Sequence, residues 1–324
     1  MTTTDPNIYL GSRDEDFKKL IITILTRGRL KPKYIDLLTN EKSMAEYGNA
    51  FTAESADTVN NYERYEQLGD ISANKFIVWY SYKRFPQLDC TEGVKVVARL
   101  RINYGATQMF SKLAEELGFW PFISCAIDPP PVIPGEERKK NNKKYRSKHM
   151  KNLLEDVFEA FIGCTETLLD KAFRTGVGYA IVYDILTDIF NEKPMSLVYE
   201  DLYDSKTRLK ETFDHYNKKK VRMGEWVYRD EKEVTDPDSI CCHGLKKHSC
   251  EECFLINSLN ISYVYHVPVG GSTKFLKNEW IIGVGKSTKK IDAEQIAAEE
   301  GINNLRKIGY YKHPPAIYSF FCKK

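Results

Sequence analysis

Glu66 and Asp70 stand four residues apart, and Asp156 and Glu159 stand three apart. On an α-helix each spacing puts both carboxylates on one face, and Glu63, three residues before Glu66, falls on the same side as the first pair. Both pairs are set among apolar residues: Leu68 in the first segment, and Leu154, Phe158, Phe161 and Ile162 in the second. Each segment also carries a glycine, Gly69 or Gly163, at a helical position where it costs about 1 kcal/mol relative to alanine. Such glycines are read as points of close helix contact. Carboxylates drawn together in a packed interior repel one another and lose hydration. A hard divalent cation with oxygen ligands removes that conflict, and Mg²⁺ is the usual one at phosphate chemistry. One or two such ions can activate water and stabilise the leaving oxygen of a phosphodiester. Taken singly, either pair reads better as solvated acids or as partners of a base such as Arg64; two pairs in matching apolar settings favour the chemical reading.

The elements that must position these residues are helices. Apolar residues recur at helical spacing from Phe17, and a polar stretch at 52–61 precedes a long helix expected from about Tyr62 to Phe85, stopped by Pro86. Further helices are expected over Glu92–Leu117, Leu153–Ala172 and Val177–Phe190. The segment Asp128-Pro-Pro-Pro-Val-Ile-Pro-Gly breaks any helix. It opens a run, Arg138 to Lys151, with eight Lys or Arg and no acid, which reads as a self-repelling loop suited to a polyanion, or equally as a solvated surface loop. After Pro194 the pattern changes. A short helix at Lys206–Tyr216 precedes aromatic and β-branched segments beginning at Glu225, Ile261 and Glu279, and a last helix spans about Asp292–Lys307. The order α-β-β-β-α describes a small α+β domain.

Composition sets bounds. The 324 residues suit two modest domains, and 42% hydrophobic with 29% charged content is that of ordinary soluble protein. No apolar run is long enough to span a bilayer and no export signal opens the chain. A reducing, intracellular setting is expected, the cytoplasm first and the nucleus as the other choice. Net charge is only +3, so its distribution matters more than its sum. Cys90, Cys125, Cys164 and Cys322 are scattered in apolar surroundings and read as core residues or free thiols.

At this point the sequence resembles the ribonuclease III family. That family's signature helix reads roughly Asn-Glu-Arg-Leu-Glu-Phe-Leu-Gly-Asp, and Glu63, Arg64, Glu66, Leu68, Gly69 and Asp70 match it in register. A second motif, Asp-x-Phe-Glu-Ala-x-x-Gly, is matched by Asp156, Phe158, Glu159, Ala160 and Gly163. Between them the family has a Glu-Gly turn with an Arg seven residues after the Glu, resembled by Glu92, Gly93 and Arg99, so Glu63, Glu92 and Arg99 are supporting residues. The resemblance covers most of residues 30–190. It implies that Glu66, Asp70, Asp156 and Glu159 are catalytic Mg²⁺ ligands, with Mn²⁺ as a substitute. It further implies a homodimer that hydrolyses double-stranded RNA to 5′-phosphate and 3′-hydroxyl ends. Tyr62 stands where the family usually has Asn, Gln67 where it has an apolar residue, and Lys95 at a commonly apolar place.

The C-terminal order resembles a double-stranded RNA-binding domain. Asp204–Glu211 is similar to its first helix, and Gly283-x-Gly-x-Ser-x-Lys-Lys with the Ala293 helix is similar to its final turn and helix. Lysines at a helix N-terminus add charge to free backbone N–H groups, so Lys286, Lys289 and Lys290 are candidate phosphate contacts. Glu211 would face the minor groove, where 2′-hydroxyls mark RNA. In place of this family's usual loop after its first strand stands Cys241-Cys-His-Gly-Leu-Lys-Lys-His-Ser-Cys-Glu-Glu-Cys253. Cys250 and Cys253 have knuckle spacing, and Cys241 and His243 complete a tetrahedral structural Zn²⁺ set, with Cys242 and His248 as alternates.

The fold expected is therefore an all-α ribonuclease III-like domain followed by an α+β double-stranded RNA-binding domain with an inserted zinc-type loop. The boundaries read as an N-terminal extension 1–27, a catalytic domain 28–195 with a basic insertion 128–151, an RNA-binding domain 201–312 with the Cys/His insertion 241–253, and a tail 313–324. Two other functions compete. A protein that sequesters double-stranded RNA without cutting needs Lys289 and Lys290 but not the carboxylates, and a structural ribonucleoprotein subunit needs neither.

Overall fold

The computed structural model describes residues 8–105, 107–126, 138–219, 222–232, 259–270 and 280–322, in two compact units, Met1–Met195 and Ser196–Lys324. In the first unit β1 (Ile8–Tyr9) is followed by α1 (Glu15–Arg27), α2 (Pro32–Leu38), α3 (Glu41–Ala50), α4 (Glu63–Arg84), α5 (Gly93–Tyr104) and α6 (Thr107–Glu116). Then come β2 (Cys125–Ala126), antiparallel to β1, and the helices α7 (Arg138–Ala172) and α8 (Val177–Asn191).

Asp14 caps α1 by accepting from the N–H groups of Asp16 and Phe17, and Asn40 caps α3 by accepting from Ser43. The inner stripe of α4 is Tyr65, Gly69, Ala73, Phe76 and Tyr80, spaced for one helical face. It meets Val157, Phe158, Ala160 and Phe161 of α7 in one core. Here the two helical glycines decide the distance between axes. A Cβ on Gly69 would overlap the carbonyl oxygen of Glu159, and one on Gly163 would overlap that of Tyr65. The expectation of close helix contact holds at both positions.

Several expectations are corrected. The stretch 1–27 is not an extension over its helical part, because Phe17, Ile21, Ile24 and Leu25 of α1 are buried in the same core as α4 and α7. The basic run is not a loop from Arg138 on: its backbone is the first part of α7. Lys and Arg are good helix formers, and the run propagates from a segment already fixed by packing. The single helix expected over 92–117 is two, α5 and α6, with Gly105 after the first. The helices α2 and α3, both short, were not foreseen. The Pro-rich segment and the Cys/His insertion lie outside the described residues.

In the second unit α9 (Tyr199–Leu202) and α10 (Ser205–Lys218) precede β3 (Glu225–Lys232), β4 (Asn260–Val267) and β5 (Ile281–Ser287). These form an antiparallel sheet in the order β3-β4-β5, with Val227 opposite Tyr265 and Tyr263 opposite Val284. The chain continues into α11 (Lys290–Lys307) and α12 (Ala316–Cys322). Leu209 and Phe213 of α10 and Ala297, Ala298, Ile302 and Leu305 of α11 pack with Val264. Gly283 and Gly285 let α11 lie directly on β5. The tail 313–324 contains a helix: Tyr318 and Phe321 of α12 are buried, and the hydroxyls of Tyr203 and Tyr318 are 2.9 Å apart.

Because the neighbour at Gly69 is backbone rather than a movable side chain, Gly69→Ala must push α4 and α7 apart. A loss of about 3 kcal/mol is expected, at the upper end for overpacking, read as a lower urea midpoint of unfolding with an unchanged slope.

Candidate active site

Glu66 and Asp70 enter the site from the first two turns of α4, and Asp156 and Glu159 from the middle of α7. The glycine contact sets where they meet, because Glu159 is the residue whose carbonyl touches Gly69. Glu159 is buried, at 6% exposure, while Glu66 and Asp156 are half-buried and Asp70 is exposed. The four acids act on one another electrostatically. Burial, then repulsion by Asp70, Glu155, Glu66 and Asp156, pushes the Glu159 carboxyl up to about 9. Burial, then Asp156, Glu63, Asp70 and Glu155, pushes Glu66 up to about 7. After burial, the largest contributions to both shifts come from neighbouring carboxylates.

Two of the carboxylates are held by hydrogen bonds. Tyr62 Oη donates to Asp156 Oδ2 at 2.9 Å, and Asn74 Nδ2 donates to Asp70 Oδ1 at 2.6 Å. Neither donor was picked out from the sequence. Asn74 had a signal, since it follows Asp70 by one helical turn. Tyr62 stands out in the sequence only as a departure from the family pattern, and its partner is 94 positions away. Glu155 was also missed. It adds a fifth carboxylate, and its adjacency to Asp156 was the available clue.

The donor set fits a divalent cation: it is all oxygen, all carboxylate, and mutually repelling where it is most buried. The side chains are not yet gathered on one point. Among the described residues no three Asp, Glu, His or Cys side chains stand in a ready-made ligating arrangement. Bringing them onto an ion therefore takes side-chain rotation. Of the expected supporting residues, Glu92 precedes α5 and is exposed, and Arg99 is half-buried in α5. Glu63 is exposed at the start of α4 and contributes to the repulsion felt by Glu66.

In the second unit Lys286 and Lys289 are exposed, and Lys289 is the N-cap of α11. Lys290 is committed elsewhere, 2.6 Å from Asp230 and 3.7 Å from Glu294. Glu211 is also turned inward: it accepts from the Tyr199 hydroxyl and pairs with Lys312, whose ammonium lies 5.5 Å from the Tyr199 ring centre. Its expected place against RNA is thus taken by an internal clasp, since a carboxylate at a half-buried position gains more from a hydroxyl and an ammonium than from water. The Cys241, His243, Cys250 and Cys253 set lies outside the described residues. Cys90, Cys125, Cys164 and Cys322 form no disulfide with one another, and of these four Cys164 is the buried one.

A packed pair of helices bearing this acidic set defines a class of hydrolytic domain, and the family description "Ribonuclease III domain" matches residues 63–166. A candidate ribonuclease 3 of Invertebrate iridescent virus 6 is 37% identical over 98% of this chain and 97% of its own length. The chain belongs to the ribonuclease III family. A candidate ribonuclease 3 of Frog virus 3 is 39% identical over 64% of this chain, which spans about half of that protein, 51%. The solved nuclease domain of ribonuclease III from Campylobacter jejuni is 20% identical, with 55% of this chain and 97% of that chain covered and a TM-score of 0.37. Among the described residues no helix is long and apolar enough to cross a membrane.

The raised carboxyls give a signed pH dependence. Between the ordinary value of 4.5 and about 9, folded Glu159 keeps a proton that the unfolded chain has lost. Stability of the cation-free protein therefore falls as pH rises through that window and levels off above it. Glu159→Gln removes this loss. In EDTA, wild type should lose at least about 1 kcal/mol more than the variant between pH 5 and pH 9, the equivalent of one pKa unit. Added Mg²⁺ should raise the melting temperature of wild type at pH 8 and leave that of Glu159→Gln nearly unchanged.

Proposed function

We propose that the protein is an endonuclease of double-stranded RNA that works with Mg²⁺, or Mn²⁺ in its place, and leaves 5′-phosphate and 3′-hydroxyl ends. The observation that carries this is the carboxylate cluster at the α4–α7 contact, where burial and mutual repulsion raise Glu66 and Glu159. Glu66, Asp70, Asp156 and Glu159 are the residues that would hold the cation. When bound, such an ion lowers the pKa of water and screens the charge that develops on the leaving oxygen. The chain's own part is to aim these oxygens. Asn74 steadies Asp70, Tyr62 steadies Asp156, and the core beneath Glu159 keeps its backbone in place.

We read the working form as a homodimer. On α4, Leu68, Ile71 and Trp79 are 42%, 63% and 63% exposed, a stripe of large apolar side chains on the helix that bears Glu66 and Asp70. We read residues 28–195, together with α1, as the catalytic part, and 201–312 as a double-stranded RNA-binding domain. Lys289, exposed at the N-terminus of α11, is the favoured phosphate contact, with exposed Lys286 on the preceding strand near it in sequence.

Purified protein in Mg²⁺ should cut a long end-labelled RNA duplex into 5′-phosphorylated fragments, and Glu159→Ala should bind the duplex but lose at least 1,000-fold in cleavage rate, roughly the effect of removing a main transition-state stabiliser. Wild type that binds the duplex and leaves it intact in both Mg²⁺ and Mn²⁺ would replace this reading with RNA sequestration. Ile71→Asp should sediment as a monomer where wild type sediments as a dimer.

A further inference from the structure

Tyr62 is the last residue before α4, and its hydroxyl donates to Asp156. Its ring is 8% exposed and sits in the main core of the unit. Its backbone is fixed as well: Tyr62 N donates to Thr52 O at 2.9 Å, and the Tyr62 carbonyl accepts from Tyr65 N and Glu66 N. Thr52 is in turn held. It bridges to Ser124, and its hydroxyl accepts from Arg13, which also donates to the carbonyls of Gly48 and Phe51. The hydroxyl of Tyr62 is thus presented to Asp156 Oδ2 by a chain of fixed contacts, not by a mobile side chain.

From this geometry we propose, resting on the cation-dependent reading above, that Tyr62 is a positioning residue that sets the cation preference of the site. A bidentate carboxylate must turn both oxygens to the ion at once. The anchored hydroxyl opposes that rotation of Asp156 by holding Oδ2, which would favour contact with a cation through one oxygen of Asp156 rather than both. Mg²⁺ takes six ligands in a strict octahedron and is served by single-oxygen contacts, whereas Ca²⁺ takes six to eight and is served by bidentate carboxylates. With five acids nearby, counting Glu155, charge alone would not discriminate against Ca²⁺. The discrimination comes from the restraint on Asp156.

The test is cation binding to the full chain by calorimetry, with MgCl₂ or CaCl₂ as titrant, for wild type and Tyr62→Phe. The phenylalanine keeps the buried ring and removes only the hydroxyl, so the fold is retained. The ratio of Ca²⁺ to Mg²⁺ affinity should shift toward Ca²⁺ by threefold or more, and Mg²⁺-supported cleavage should fall in kcat with KM little changed. A merely structural role would weaken both ions together and lower the cation-free melting temperature. An unchanged ratio in a variant that still binds Mg²⁺ overturns the assignment of Tyr62 and leaves the nuclease reading standing. Wild type that binds neither ion overturns both.

Discussion

Everything at the candidate site depends on how closely α4 and α7 approach. Two glycines, one on each helix, put backbone against backbone at Gly69–Glu159 and Gly163–Tyr65. Side chains larger than hydrogen at these points would widen the gap by the size of a methyl group. The acids on either helix would then face water singly. At the observed approach they face one another, and Glu159 is driven into the protein beside Phe158 and Ala160. The favourable burial along the α4–α7 seam is what holds this unfavourable arrangement of charge in place.

The same seam explains why the site is poised and incomplete. Raised carboxyls at Glu66 and Glu159 mean that protons balance part of the charge in the cation-free protein. A divalent ion would displace those protons and draw in the exposed Asp70. The residues that do not have to move are the ones tied from outside the pair of helices. Tyr62 and the loop behind it belong to this group, anchored through Thr52 and Arg13 to α3 and to the strand region at Ser124. The N-terminal stretch therefore supports the site rather than preceding it.

In the second unit the C-terminal segment has a comparable supporting part. Lys312 engages Glu211 of α10, Tyr311 N donates to the Tyr216 hydroxyl, and Tyr318 stacks edge-on against Tyr199 at 5.2 Å. These contacts fasten the start and end of the unit to each other. They also redirect a carboxylate that, seen in isolation, pointed to an RNA contact. Lys290 is redirected in the same way by Asp230 on β3. Lys289 at the N-cap of α11 and Lys286 on the strand before it are exposed on this surface.

How much of this could be read from the chain depends on the range of the interactions involved. Helical spacing alone marked the paired acids, the glycines within them and the helices α4, α7, α8, α10 and α11, because each signal is local and repeats every turn. The short helices α2 and α3 leave little periodic signal in so few turns, and the run of like charge at the start of α7 masks its helix propensity. Motif register supplied the family. The tertiary structure alone decided which acids are buried, that Glu155 joins them, and that Glu211 and Lys290 are occupied. It alone brought Tyr62 to Asp156 across 94 positions. Residue type and spacing determine which face of an element a side chain occupies. Burial, proton affinity and pairing depend on what another element places opposite, and that is settled only when the elements pack.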